Sequence, residues 1–278
     1  MSKKIVLHGH IFKNAGTTID WILERNFPHS YCDNREDFKI RSEPTYLTEF
    51  LYKNPHIRAL SSHSLPLPLA IESENFDFFT MVMLRHPLLR VRSVYDFERK
   101  QVSSTPGAVH AKKYSFREYV DWRMKPNVAP TIRDMQVRYL TQTSCRKSEQ
   151  LNDLHYRAAL SYLKENMLIG IVDEFDWSMV VFDHYLSEHD VEIDFSYKKQ
   201  NVSREKQFTK EKKLEDSLEE LRRDLGEPLY SKLLHNNQMD LKVHDVGKKL
   251  LKERFESIPE HKISLEKLRR KCSQLDHD

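Results

Sequence analysis

Short apolar segments alternate with amphipathic ones through most of the chain, and that alternation limits the fold more than any other feature. Lys4–Phe12, Ile57–Ser61, Phe76–Leu84 and Met167–Val172 read as strands, Phe76–Leu84 being the strongest. Between them, Thr17–Arg25 places Ile19, Ile22 and Leu23 on one helical face. Thr48–Lys53 is a short helix, and Leu88–Lys100 follows Pro87 as a helix with proline in its first turn. Ser115 opens another helix with Glu118 three residues on, a capping-box pattern. Residues 151–166 and 176–189 are also helical in pattern, whereas 28–46 are polar and irregular and 102–113 read as a mobile loop. Strands alternating with helices predict an α/β fold, a central parallel β-sheet flanked by helices. From about Thr209 the texture changes to Lys, Glu, Leu and Arg, with Leu214, Leu218, Leu221 and Leu225 at helical spacing. The expected organisation is an α/β domain over 1–205 and a charged helical C-terminal extension over 206–278 packed on it.

Composition removes several classes. In 278 residues no apolar run approaches the roughly 18–20 that a membrane-spanning helix needs. Aromatic residues make up 10%, too many for a disordered chain. Three cysteines, at 32, 145 and 272, provide neither a disulfide framework nor metal-ligand spacing. The net charge of +3 is spread with both signs interspersed, which gives no nucleic-acid footprint. Met1-Ser2-Lys3-Lys4 runs directly into Ile5-Val6-Leu7 without the longer apolar stretch of a secretory signal, so the reading is cytoplasmic.

Two motifs carry chemistry. The first is His10-Ile11-Phe12-Lys13-Asn14-Ala15-Gly16-Thr17-Thr18, between the first strand and the first helix. Such a turn aims backbone N–H groups and the positive end of the helix dipole at an anion. Gly16 lets the backbone come close, Thr17 and Thr18 add hydroxyl donors, and Lys13 adds a point charge. This is a P-loop-like phosphate cradle but not a Walker A loop, because Lys13 precedes Gly16 and Thr17 stands where the Walker Lys would be. An ordinary strand–turn–helix with a capping Thr uses the same residues. The second motif is Arg85-His86-Pro87-Leu88-Leu89-Arg90-Val91-Arg92-Ser93. Arg85 ends a strand, where open α/β sheets bind ligands, and its planar fork suits a phosphate. An Arg salt-bridged at a helix start is the alternative. Together the two motifs suggest a ligand with two separated phosphate groups.

Phe-Lys-Asn-Ala-Gly-Thr-Thr at 12–18 resembles the 5′-phosphosulfate loop of the carbohydrate sulfotransferases, usually Pro-Lys-[Thr/Ala/Cys]-[Gly/Ala]-[Gly/Ser]-Thr-[Thr/Ser]. Arg85 with Ser93 eight positions later, then Tyr95, resembles that family's 3′-phosphate motif. Weaker likenesses run to about residue 205. They are Ser61-Ser62-His63-Ser64, Met135-Gln136-Val137-Arg138-Tyr139-Leu140, Ile169–Asp176 and Asn201-Val202-Ser203. Phe12, Ser62 and Asp173 depart from the commoner Pro, Gly and Glu. The resemblance implies sulfuryl transfer from 3′-phosphoadenosine 5′-phosphosulfate (PAPS) to a hydroxyl of a carbohydrate or glycoconjugate acceptor, leaving 3′,5′-ADP. It gives Lys13 the bridging and leaving oxygens and the loop Lys13, Asn14, Ala15, Gly16, Thr17 and Thr18 the 5′-phosphate. Arg85 and Ser93 take the 3′-phosphate, and His63 is the general base.

No metal is expected, since Lys, Arg and N–H groups carry the phosphate charge and no Asp/Glu cluster accompanies the loop. His86 is the rival base, and His8 and His10 read as packing residues. A P-loop-like small-molecule kinase and a catalytically silent sulfotransferase-like binding protein are the competing readings. The Lys placement argues against the first. The joint presence of Lys13, Arg85, Ser93 and His63 argues against the second.

Overall fold

The computed structural model describes residues 2–34, 37–43, 45–69, 73–142, 150–198 and 214–275. The chain is α/β, with a five-stranded, all-parallel sheet in the order β2-β3-β1-β4-β5. The central strand β1 is Lys3–Gly9, and α1 (Gly16–Asn26) follows it. The edge strand β2 (Tyr31–Asp33), the helices α2 (Lys39–Ser42) and α3 (Tyr46–Lys53), and β3 (Ala59–Ser62) lead back to β1 from one side. On the other side lies β4 (Phe76–Leu84), then α4 (Pro87–Lys100), α5 (Pro106–Lys113), α6 (Phe116–Arg123), α7 (Met135–Leu140) and α8 (Asp153–Glu165). β5 (Ile169–Ile171) closes the sheet, followed by α9 (Phe175–Ser187). The described C-terminal helices are α10 (Leu214–Leu225), α11 (Glu227–His235), α12 (Gln238–Ser257) and α13 (His261–Leu275). Among the described residues no helix is long and apolar enough to cross a membrane.

The central strands form because both faces are covered. Ile5, Val6 and Leu7 of β1 and Met81–Leu84 of β4 are all buried, as parallel strands between helical layers must be. α1 lays Ile19, Ile22 and Leu23 on this sheet. A second apolar cluster gathers Leu88, Val91 and Val94 of α4, Tyr119 and Val120 of α6, and Leu221, Leu225, Leu229 and Leu233 of α10 and α11. α12 and α13 join the first cluster instead, through Val243, Leu251, Phe255 and Leu268. Gly247 lets α12 approach closely, since a Cβ there would stand 3.2 Å from Leu84 and 3.3 Å from Ile171.

Three local expectations change. β1 stops at Gly9, so Ile11 and Phe12 belong to the following loop. The irregular stretch 28–46 holds the three-residue strand β2. Residues 106–113, expected as a mobile loop, are helix α5. Pro106 occupies the first turn, where its missing N–H costs nothing, and Ala108 and Ala111 are buried. Gly107 permits the contact, because a Cβ there would overlap Glu98 and Arg123. Those two form a buried ion pair joined by the Tyr119 hydroxyl. The capping box at Ser115 is present, with the Glu118 N–H donating to Ser115 Oγ and the Ser115 N–H to Glu118 Oε2. Asn201-Val202-Ser203 and Cys145 lie outside the described residues.

Candidate functional site

β3, β1 and β4 are neighbours, and their C-terminal ends deliver Ser62-His63, the 10–15 loop and Arg85 to one edge of the sheet. The loop is held in a fixed shape. Lys13 (φ 66°) and Ala15 (φ 58°) are both left-handed, which costs a non-glycine residue roughly 1–2 kcal/mol. Gly16, expected to admit a ligand close to the backbone, answers a different demand. A Cβ there would run into the His10 ring, which packs against its Cα. Gly16 and Thr17 open α1, where first-turn N–H groups have no acceptor within the helix. Thr17 is exposed and Thr18 is buried.

Guanidinium groups tie this loop to the β4 end. Arg85 donates to the Lys13 carbonyl (Nη1···O 3.1 Å). Arg90, wholly buried, donates to the Phe12 carbonyl (3.1 Å) and to the Thr131 carbonyl. Asn14 Nδ2 donates to the Met83 carbonyl (2.8 Å) and to Gln136 Oε1 (2.7 Å). The Lys13 ammonium stands 4.6 Å from the Phe97 ring centroid. Burial lowers the Lys13 pKa, Arg85 and Lys100 lower it further, and Asp96 opposes them. Burial also lowers Arg85, against the pull of Asp173. Both cations are half-buried, and among the described residues neither has a carboxylate within ion-pair distance. Ser93, in the second turn of α4, is half-buried on the helix that starts beside Arg85.

His63 sits against β1. Its Nδ1 lies 2.6 Å from the His10 carbonyl, and the two rings are 4.3 Å apart. A carbonyl only accepts, so the neutral His63 ring carries its proton on Nδ1 and its lone pair on Nε2. Beneath it is a hub that the sequence reading missed. The Asp20 carboxylate receives His8 Nδ1 (2.8 Å), His10 Nδ1 (3.0 Å) and the Ser61 hydroxyl (2.6 Å). Burial opposes the charge on Asp20, but His8 and His10 outweigh it and hold the carboxyl far below the usual range. The ligating atoms of His8, His10 and Asp20 lie within 4.8 Å of one another, a spacing that a cation can bridge. His8 Nδ1 and the Ser61 hydroxyl share Asp20 Oδ1, while Asp20 Oδ2 faces His10 Nδ1. His8 and His10 are therefore more than packing residues. The available signal was their spacing: two histidines two apart at a strand end share a face, and buried rings need a buried acceptor.

His86, the rival base, points elsewhere. It is buried under α12, edge-on to His244 at 5.4 Å, and His244 Nε2 lies 3.6 Å from Asp173. Burial first, and His244 second, push the His86 pKa down to about 4. Burial works against the Asp173 carboxylate, yet His244, Arg85 and His86 together keep it below the usual range. So Lys13, Asn14, Ala15, Gly16, Thr17, Thr18, Arg85 and His63 come to one sheet edge, with Ser93 on the adjoining helix, while His86 belongs to a separate buried group.

No protein-family model matches the chain. An uncharacterized protein of Archaeoglobus fulgidus is 30% identical over 264 residues, covering 92% of this chain and all of the archaeal one.

Proposed function

The chain belongs to the same family as that archaeal protein, and we propose that it is a PAPS-dependent sulfotransferase acting on a hydroxyl of a carbohydrate or glycoconjugate. One observation carries the reading. Two half-buried cations, Lys13 and Arg85, end neighbouring loops at one sheet edge without a carboxylate partner among the described residues. Buried charge without a partner is costly, so such a pair calls for an anionic ligand. The likeness of both motifs to the sulfotransferase pattern names that ligand as one bearing 5′- and 3′-phosphates.

In this reading the first-turn N–H groups of α1 and the Thr17 hydroxyl hold the 5′-phosphate, and Arg85 and Ser93 hold the 3′-phosphate. His63 Nε2 takes the proton of the acceptor hydroxyl. The acceptor oxygen forms its bond to sulfur as the bond from sulfur to the 5′-phosphate oxygen breaks, and 3′,5′-ADP departs with the electron pair. Lys13 meets the negative charge growing on that oxygen. Its lowered pKa makes it a better proton donor there.

The test is calorimetry with 3′,5′-ADP, 5′-AMP and ATP·Mg²⁺, followed by transfer of labelled sulfate from PAPS to a glycan panel. The expected result is selective binding of 3′,5′-ADP, weakened in Arg85→Ala by about 1.5–3 kcal/mol, the range for hydrogen bonds to charged groups. Equal affinity for 3′,5′-ADP and 5′-AMP would remove the 3′-phosphate assignment. Preference for ATP·Mg²⁺ would move the protein to the kinases.

A further inference from the structure

The side chain of Gln136 uses three of its four hydrogen-bonding directions at the sheet edge, and Nε2 also lies 3.5 Å from Asp240 Oδ2. Oε1 accepts from Asn14 Nδ2 (2.7 Å) and from the Arg85 N–H (2.9 Å), and Nε2 donates to the Arg85 carbonyl (2.9 Å). One buried amide thus grips both halves of the proposed cofactor site. It is itself fixed from α12. The Asp240 carboxylate, 0% exposed, accepts the N–H groups of Gln136 (3.0 Å) and Val137 (2.8 Å), capping α7 from the side. The exchange is reciprocal, because Asp134 Oδ1 accepts the Asp240 N–H at the start of α12 (2.9 Å). Asn237 closes the joint, accepting from the Asp134 N–H (3.2 Å) and donating to the Ile132 carbonyl (2.9 Å).

We propose that α12 is a working part of the cofactor site, with Asp240 as a positioning residue that sets Gln136 and, through it, Asn14 and Arg85. The inference rests on the sulfotransferase reading for the identity of the ligand. Three features carry it. Asp240, Gln136 and Asn14 are all at or below 1% exposure, so water cannot replace a lost partner. Each link is a direct hydrogen bond of 3.0 Å or less. α12 also packs beside this edge, where its His244 lies edge-on to His86, the residue after Arg85, and 3.6 Å from Asp173. Asp240 touches no ligand and acts only by fixing the backbone of Arg85 and the amide of Asn14.

The test compares Asp240→Asn with Leu251→Ala. Leu251 is a fully buried residue of the same helix with no polar link to the site. Affinities for 3′,5′-ADP and 5′-AMP are measured by calorimetry alongside the melting temperature. Asp240→Asn is expected to weaken 3′,5′-ADP about tenfold and to narrow its preference over 5′-AMP, because Arg85 loses its register. Leu251→Ala is expected to lower the melting temperature with the preference intact. Gln136→Glu keeps the acceptor for Asn14 but loses the donor to Arg85. It carries the same expectation and serves if Asp240→Asn does not fold. A selective wild type with unchanged selectivity in both polar variants overturns the positioning role alone. A wild type that does not distinguish the two nucleotides overturns the sulfotransferase reading and this proposal with it.

Discussion

His63 and Lys13 divide the proposed chemistry between a base that faces the acceptor and a cation that faces the leaving group. His63→Ala is expected to cut turnover about 10²–10⁴-fold, the usual size of a general-base loss, with 3′,5′-ADP affinity nearly unchanged. Lys13→Ala is expected to cut turnover and also to weaken 3′,5′-ADP, since the ammonium meets the phosphate in the ground state as well. Turnover and calorimetry on both variants separate the roles, and full activity in His63→Ala would place the base elsewhere. His86 makes a different expectation because its role is buried. Its pKa lies near 4 in the fold against an ordinary 6.5. Between those values the unfolded chain binds a proton that the fold excludes, so stability drops as pH falls from 6.5 toward 4. At roughly 1.4 kcal/mol per unit the loss is about 3 kcal/mol. Urea midpoints at pH 7 and pH 4.5 measure it, and His86→Asn is expected to flatten the difference.

Among the elements, α5 shows how a residue that breaks pattern in sequence can be what makes a helix fit. Gly107 brings α5 against the Glu98–Arg123 pair, both members of which are buried. Gly107→Ala would push the ends of that pair aside, and such overpacking of a buried site costs about 1–3 kcal/mol. Ser115→Ala, which removes an exposed capping box one element later, is expected to cost about 1 kcal/mol. Denaturant titrations of the two variants give the ranking, and a Gly107→Ala loss no larger than that of Ser115→Ala would contradict the packing argument. Legibility followed the same physics. β1, β4 and the helices α1 and α4 were readable because their apolar spacing extends over many residues. β2 was not, since three residues of Tyr-Cys-Asp at a sheet edge carry no period. Lys13, Arg85 and His63 could be read from local motifs at strand ends. For the hub, only the His8/His10 spacing was legible, and its acceptor Asp20, like the Asp240–Gln136 link, was not, because each joins residues that only the tertiary fold makes neighbours.

At the scale of the whole molecule, the sheet and the C-terminal helices share a core. Leu251, Phe255 and Leu268 lie in the same apolar cluster as Ile5, Val82 and Ile171, and each buried side chain of this size contributes roughly 1.5–3 kcal/mol. A chain ending at residue 213 loses about 5–9 kcal/mol from these three side chains alone, a loss comparable with the 5–15 kcal/mol that holds a typical domain folded. It is expected to show no cooperative unfolding transition by circular dichroism, and a sharp transition in that fragment would mean the sheet folds alone. The Asp240–Gln136–Asn14 link adds a consequence in time. Asn14 is made before Gln136, and Asp240 follows Gln136 by 104 residues. During synthesis the loop at the end of β1 emerges before α12, so the Asp240 support of Gln136 is the last of its ties to form. On the proposed function, a nascent or stalled chain would carry the motif without the grip on nucleotide, and competence would arrive in one step, late, with the helix that no motif announced.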